Sequence, residues 1–169
     1  MATLADRFTQ IFREEHRVVR DALLDLIRAF QNRDRGSIRA LLEQIAKCTG
    51  PHFRYEEESL YPSLREIFGD DYVEKLLGDH DAAIGAARKL VELAGRPSLE
   101  DEDVSLAVRL ARGILPHVSD CDGLSIMVER LSGQKVQAIL DTRDRSLQQG
   151  LDLLKWAAEV RTRPAVAPV

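Results

Sequence analysis

The sequence has few of the residues that build β-rich, disulfide-rich or membrane-spanning proteins. Only 5% of its 169 residues are aromatic and only 10 are glycine, which argues against a β-sandwich or a barrel. Its two cysteines, Cys48 and Cys121, form neither a C-x-x-C motif nor a disulfide framework, so both are expected to be reduced, buried thiols. No apolar run approaches the about 20 residues that cross a bilayer, and residues 1–12 are amphipathic, unlike a secretory signal. These absences predict a cytoplasmic protein.

The charge balance is mild, with a formal net charge of −4. Phosphate binding needs a positive field, and the chain has no dense stripe of lysine and arginine, so nucleic acid is not an expected partner. With 44% hydrophobic and 31% charged residues, the chain is long enough to bury one sizeable core.

What the sequence does have is helical periodicity. Apolar residues recur at spacings of three and four in five segments, at about 4–33, 37–64, 72–94, 98–128 and 134–160. Because short connections make consecutive helices antiparallel neighbours, the predicted fold is all-α, an up-down-up-down four-helix bundle with an additional C-terminal helix. The predicted divisions are the bundle at 1–131, the accessory helix at 132–161 and a flexible tail at 162–169.

The chain has four histidines, and each lies on the apolar stripe of a different one of the first four predicted helices. They are His16, His52, His80 and His117. The distance from each histidine to a connecting loop can be estimated from the number of residues between them, at about 1.5 Å per residue. These distances are roughly 23 to 29 Å, except that His80 lies roughly 14 Å from the loop before it. The four rings are therefore expected to share one layer of the bundle.

Two acidic residues are expected in that layer. Glu56 follows His52 by one turn, so both side chains lie on one face of the helix. Asp122 follows His117 by five residues, and a bulge induced by Pro116 would rotate it onto the same face. Mixed imidazole and carboxylate donors suit iron, manganese or zinc, whereas any single buried histidine is more often an ordinary core residue.

The order of these motifs resembles the hemerythrin or hemerythrin-like (HHE cation-binding) family. The motifs are E-E-H-R on the first helix, H-x-x-x-E leading to L-Y-P on the second, D-H-D on the third, and P-H with an acid five residues later on the fourth. The resemblance covers residues 4–131 and implies a cofactor of two iron ions, oxo- or hydroxo-bridged. The implied iron ligands are His16, His52, Glu56, His80, His117 and Asp122, with the two carboxylates as bridges.

One position departs from the oxygen-carrying members of that family. They have a fifth histidine one turn before the ligand matched to His80, and this chain has Leu76 there, while Ile84 one turn later cannot replace it. One iron would then have an open position or a different donor. The nearby candidates for that donor or for supporting hydrogen bonds are Glu57, Glu15, Tyr55, Tyr61 and Cys121.

The resemblance and this departure favour a small ligand, namely hydrogen peroxide, nitric oxide or dioxygen, bound or turned over at an open iron position. A role in oxidative or nitrosative defence, including catalase-like peroxide decomposition or nitric oxide turnover, is expected rather than reversible oxygen carriage. The alternative is an oxygen- or iron-responsive sensor that acts through a partner. The C-terminal helix has no histidine, so it is interpreted as an accessory for packing or for a homodimer.

Overall fold

The structure, a computed structural model, describes residues 2–163, and all regular secondary structure in that range is helical. This confirms the predicted all-α class. The α-helices of the described range are α1 (Leu4–Gln31), α2 (Arg35–Tyr55), α3 (Tyr61–Phe68), α4 (Asp70–Ala94), α5 (Asp101–Leu124), α6 (Gly133–Gln149) and α7 (Leu153–Glu159). A π-helical turn, Glu56–Leu60, joins α2 to α3, and a 3-10 helix, Ser125–Arg130, follows α5. Of the tail predicted at 162–169, residues 164–169 lie outside the described range.

The first two helices start with side-chain caps. Thr3 and Asp6 form a capping box at α1, in which Asp6 N–H donates to the Thr3 hydroxyl over 3.1 Å and Thr3 N–H donates to the Asp6 carboxylate over 2.7 Å. At α2 the capping side chain is Asp34, which accepts the N–H of Ser37 over 3.1 Å. α2 therefore starts two residues earlier than the apolar pattern indicates, because the cap rather than the first buried side chain defines the boundary.

The four long helices contact one another in a closed circuit. α1 packs against α2 and α5, and α4 packs against α2 and α5. The shorter C-terminal helices cover this group, with α6 against α1 and α2, and α7 against α2 and α4. Among the described residues, no helix is both long and apolar enough to traverse a bilayer.

The apolar core is divided at the level of the histidines. Along α1, Phe8 and Phe12 belong to one cluster of buried side chains, and Val19 and the residues after it belong to another. His16 lies between the two clusters in sequence. On α5, His117 lies near the boundary between Ala111 and Val118 of one cluster and Cys121 of the other. The bundle thus has an apolar cluster on each side of a polar layer.

The single helix predicted at 134–160 is two helices. Gly150 adopts a left-handed conformation, with φ of 62°, and ends α6. The chain then passes close to α2, where a Cβ added to Gly50 would lie 2.2 Å from the carbonyl oxygen of Leu151. α7 follows and buries Trp156. The break allows the C-terminal segment to follow the surface of the bundle instead of continuing away from it.

The two cysteines differ in burial. Cys121 is fully buried, as expected, but Cys48 is exposed. The expectation was wrong for Cys48 because the inward face of α2 is formed by Ile45, Thr49 and His52, and Cys48 lies beside that face rather than on it.

Candidate metal centre

The four histidine rings meet in the interior as two pairs. The ring centroids of His16 and His52 are 4.6 Å apart, and those of His80 and His117 are 4.8 Å apart. None of the four residues exposes more than 7% of its surface. The structure therefore brings together the four side chains that the sequence analysis placed in one layer.

The carboxylate of Glu56 lies between the two pairs. Its Oε1 is 3.4 Å from Nε2 of His52, and its Oε2 is 3.1 Å from Nε2 of His80. Glu56 is completely buried, yet neither oxygen has a hydrogen-bond partner among the described residues. Buried carboxylates without partners are strongly unfavourable, so this side chain is suited to a cation.

The outer nitrogen of each ring faces an oxygen atom. The Nδ1–H of His16 donates to the carbonyl oxygen of Phe12, and that of His52 donates to Glu15, each over 2.8 Å. His80 donates from Nδ1 to Glu57 over 2.8 Å. The remaining contact, from His117 Nδ1 to Oδ2 of Asp79, is longer at 3.5 Å.

These contacts indicate which nitrogen of each neutral ring carries no proton and can bind a metal ion. A nitrogen that donates to a carbonyl or carboxylate oxygen carries the proton, so Nε2 of the neutral ring keeps its lone pair. Metal-binding histidines show the same arrangement, in which an outer acceptor orients the ring and the inner nitrogen binds the ion. Nε2 of His52 and of His80 both face Glu56.

The spacing of these donors fits a shared metal ion. Nitrogen and oxygen atoms bound at about 2.0 to 2.2 Å from one ion are about 2.9 to 3.5 Å apart for angles between 90° and tetrahedral. The two contacts from Glu56 to His52 and His80, at 3.4 and 3.1 Å, lie within that range. Among residues 2–163, two groups of possible donors have all their ligand atoms within 4.8 Å of one another. They are His16 with Glu56 and Cys121, and Glu56 with His80 and His117.

The electrostatics of the site lower the pKa of His16 and His117 but raise the pKa of His52 and His80. Burial, reinforced by the neighbouring charge of His52, lowers the pKa of His16 to about 4, and burial with the charge of His80 does the same for His117. Burial also disfavours the charged form of His52, but Glu56 and Glu15 outweigh it and raise the pKa to about 10. Burial works against ionisation of Glu56 too, and His52 and His80 overcome it, so its pKa lies well below the usual range. The ligand layer therefore retains an anionic carboxylate.

The π-helical turn places a phenol beside the histidines. The N–H of Tyr61 donates to the carbonyl oxygen of Glu56, five residues earlier, so these two residues lie on the same side of the helix. The hydroxyl of Tyr61 is 3.0 Å from Nε2 of His80 and 3.4 Å from Sγ of Cys121. A regular α-helix would place residues five apart on different faces.

The other candidate donors form two groups, one on the outer side of the histidine rings and one on the inner side. Glu57 and Glu15 accept hydrogen bonds from the outer nitrogens of His80 and His52. Tyr55 donates its hydroxyl to Glu15 over 2.7 Å. These three side chains therefore orient histidines from outside, whereas Tyr61 and Cys121 lie on the inner side.

At the position without the fifth histidine, the structure has a packed apolar side chain. Leu76 is 1% exposed and belongs to the same core cluster as Tyr61. Ile84, one turn after His80, is fully buried. The hydroxyl of Tyr61, at 3.0 Å, and the carboxylate of Glu56, at 3.1 Å, both lie beside Nε2 of His80.

Asp122 lies outside both groups of donors. α5 continues as an α-helix through Pro116 to Leu124, so no bulge rotates Asp122 toward His117. Its side chain is 45% exposed, and its Oδ1 is 4.0 Å from Nε of Arg13 and has no hydrogen-bond partner among the described residues. Cys121, one residue earlier, points into the site instead.

Two arginines near the C-terminus hold the outer carboxylates. Arg143 on α6 donates to Glu15 over 2.6 Å. Arg161, whose side chain is 1% exposed, donates to Glu57 over 2.8 Å and to Asp81 over 2.7 Å. Interpreting the C-terminal helix as a packing accessory was therefore incomplete, since both arginines contact a carboxylate that orients a histidine. Helical periodicity gives no signal for them, because they reach the site through a second side chain.

A small apolar cavity adjoins the rings. Its volume is about 30 Å³, and its walls include His16, His52 and His117. The remaining lining side chains are apolar apart from Thr49, and they include Val19, Leu23, Ile45, Phe53, Ala83, Ala87, Ile114, Val118 and Leu153. A space of this size holds a single small molecule.

Comparisons with known proteins agree with this arrangement. The family model of the hemerythrin HHE cation binding domain matches residues 7–124, which is well over half of the chain. The match includes all four histidines and Glu56. No curated protein and no solved structure matches the chain.

Proposed function

Because the chain belongs to the hemerythrin HHE cation-binding family, we propose that its buried site holds two iron ions and binds or turns over a small ligand. The proposed ligands are His16, His52, Glu56, His80 and His117, together with Asp122 as the further carboxylate expected from the sequence. The proposal takes the four long helices as an up-down-up-down bundle, which their circuit of contacts and short connections support.

The observation that carries the proposal is the combination of oriented rings and an unpaired acid. Three rings donate from Nδ1 to an oxygen over 2.8 Å, and the contact of the fourth is 3.5 Å. Glu56, between the pairs, has no hydrogen-bond partner among the described residues. A purely structural polar layer would satisfy that carboxylate with a donor, so the arrangement favours a cation.

Iron bound there would supply a Lewis acid and a source of electrons beside an open coordination position. The chain contributes a dry environment, because the cavity next to His16, His52 and His117 is lined almost entirely by apolar side chains. Such a lining suits dioxygen and nitric oxide better than hydrogen peroxide, which would lose hydrogen bonds to water on entry. Tyr61, whose hydroxyl faces His80, is in position to hold or donate a proton there.

The first test is metal content after loading with iron(II) without oxygen. We expect two irons per chain and, after oxidation, the absorption of a bridged ferric pair. A chain that purifies and remains colourless and metal-free after loading would refute the proposal. Adding dioxygen to the reduced protein then tests the ligand: we expect oxidation without a stable adduct, and clean reversible oxygenation would instead indicate an oxygen carrier.

A second function, a sensor, is favoured by one specific contact. Arg161 links the C-terminal segment to Glu57 and so to His80. A change in the metal or its ligand that moves the His80 ring would be transmitted through Glu57 and Arg161 to the C-terminal segment. Truncation after Leu131 cannot separate the two functions, because it removes Arg143 and Arg161 and disturbs the site itself. Hydrogen exchange of residues 132–163 with and without iron separates them, since only a sensor requires protection there to change.

A homodimer through the C-terminal helices would have to use their exposed residues. The apolar sides of α6 and α7 are already buried against their own chain, including Ile139 and Trp156. Leu147 is the largely exposed apolar side chain of α6, at 47%. Sedimentation of the Leu147→Glu variant against the unmodified chain would show whether that surface is used.

A further inference from the structure

Helix α5 directs a cysteine, not an acid, toward the metal position. Residues on an α-helix are separated by about 100°, so a side chain four residues after His117 lies about 40° from it and a side chain five residues after it lies about 140° away. Cys121 occupies the first position and Asp122 the second. Accordingly Cys121 is 0% exposed, whereas the side chain of Asp122 is 45% exposed.

The sulfur of Cys121 packs against the ring of His117. Sγ is 3.5 Å from Nε2 and 3.7 Å from Nδ1 of that ring, so it is nearly equidistant from the two nitrogens. This contact places the sulfur within the histidine layer without directing it at the lone pair of one nitrogen.

A second observation points to a ligand at the same place. Sγ of Cys121, a nitrogen of His16 and an oxygen of Glu56 lie within 4.8 Å of one another. Both oxygens of Glu56 are buried without a hydrogen-bond partner among the described residues, so the carboxylate is directed into this group and left for a cation. Sγ thus lies close to donors from both histidine pairs.

We propose that Cys121 is a thiolate ligand of the metal centre and takes the place expected for Asp122. This inference rests on the proposed metal centre and concerns its composition. On metal binding, the S–H bond of Cys121 breaks, its proton passes to solvent, and the sulfur lone pair forms the bond to the metal. The centre then has three kinds of donor, namely imidazole, carboxylate and thiolate.

A thiolate would change the behaviour of the site. Soft thiolate donors favour zinc and iron and bind hard cations such as magnesium or calcium poorly. A thiolate at this position also explains how α5 continues without a bulge, since a residue four positions after His117 needs none to reach the ion. The simpler interpretation is that Cys121 is a small core residue, in which case Asp122 would have to move inward when metal binds.

Two experiments on the full chain separate these interpretations. The first is X-ray absorption at the zinc edge of the unmodified chain loaded with zinc, with no substitution that could affect folding. We expect a sulfur scatterer at about 2.3 Å in addition to nitrogen and oxygen at about 2.0 to 2.2 Å. Bound zinc surrounded by nitrogen and oxygen alone would overturn the thiolate and leave the metal centre intact. Failure to bind any metal would overturn both proposals.

The second experiment compares the two cysteines in the iron form. The Cys121→Ser variant should lose the sulfur-to-iron charge-transfer absorption. Its affinity for zinc should also fall, and by more than the loss of about 10- to 100-fold that is typical when a residue that only supports a ligand is replaced. The matched control is Cys48→Ser, because Cys48 is exposed and should leave both properties unchanged. Equal spectra and affinities in the two variants would refute the role of Cys121. Asp122→Asn should reduce zinc affinity less than Cys121→Ser, and the reverse order would also refute it.

Discussion

Replacing Arg161 by methionine should destabilise the chain well beyond a surface substitution. The change keeps most of the aliphatic side chain but removes the guanidinium that bonds Glu57 and Asp81. The side chains of these two acids are only 10% and 5% exposed, so each would be left with less compensation for its burial. The carboxylate of Asp81 keeps a contact of 2.9 Å to Arg163, whereas Glu57 keeps only His80.

The size of the effect follows from that difference. Removing one partner of a buried ion pair costs about 3 to 5 kcal/mol, and we expect about 3 kcal/mol here because Asp81 retains a partner. For a chain of this length about 1 kcal/mol lowers the midpoint of thermal unfolding by about 2 to 4 °C, so the midpoint should fall by about 6 to 12 °C. The loss should also weaken metal binding by about 10- to 100-fold, because Glu57 orients His80.

The matched control is Arg163→Met. Its side chain is 31% exposed, its partner Glu74 is 53% exposed, and its other partner Asp81 keeps the contact with Arg161, so the loss should stay below about 1 kcal/mol. Thermal unfolding followed by circular dichroism, together with zinc titration, measures both quantities. If the two variants lose the same stability and bind zinc equally, the reasoning that Arg161 supports the site through Glu57 is wrong.

Three further predictions concern the site and its surroundings. Glu56→Gln should abolish binding of the second metal, measured by metal content, because it removes the buried carboxylate that lies between the two histidine pairs. Glu58→Gln, two residues later with a side chain 43% exposed, should retain it. Without metal, the free energy of unfolding should fall as pH rises from about 6.5 toward about 10. The pKa of His52 is raised to about 10 in the folded chain, so its contribution to stability is complete below the pKa of the unfolded chain and is lost as pH rises through the folded pKa. A flat profile in urea titrations would contradict this. Gly50→Ala should destabilise by about 1 to 3 kcal/mol in the same titrations, since its Cβ would lie 2.2 Å from the Leu151 carbonyl oxygen. Gly78→Ala, with nothing within 4 Å of the new Cβ, should instead stabilise by about 0.5 to 1 kcal/mol.

The features that could be predicted from the sequence are those that depend on position along one helix. The spacing of His52 and Glu56 by one turn is enough to place both side chains on one face. Apolar periodicity likewise identifies where the chain is helical, because each helix must bury one side, but it does not show the breaks after Tyr55 and at Gly150. The order of the motifs predicted the family, which the match to residues 7–124 confirms.

The features that could not be predicted depend on contacts between distant segments or on local changes of helix type. The ion pair of Arg161 with Glu57 joins residues 104 positions apart, and no periodicity relates them. The π-helical turn at Glu56–Leu60 has no composition that distinguishes it from a charged stretch of ordinary α-helix, so its effect on Tyr61 was not expected. The bulge expected near Asp122 is absent because Pro116 is accommodated within α5.

The π-helical turn also accommodates one extra residue between Glu56 and Tyr61 without moving the phenol. Removing one residue there would leave the tyrosine four positions after Glu56, and in ordinary α-helical winding that position lies about 40° away, on the same face. Ordinary winding at the present length would instead place Tyr61 about 140° from Glu56 and turn its hydroxyl away from His80. A related chain that is one residue shorter at this point would therefore need no π-helical turn to direct a hydroxyl at the same histidine.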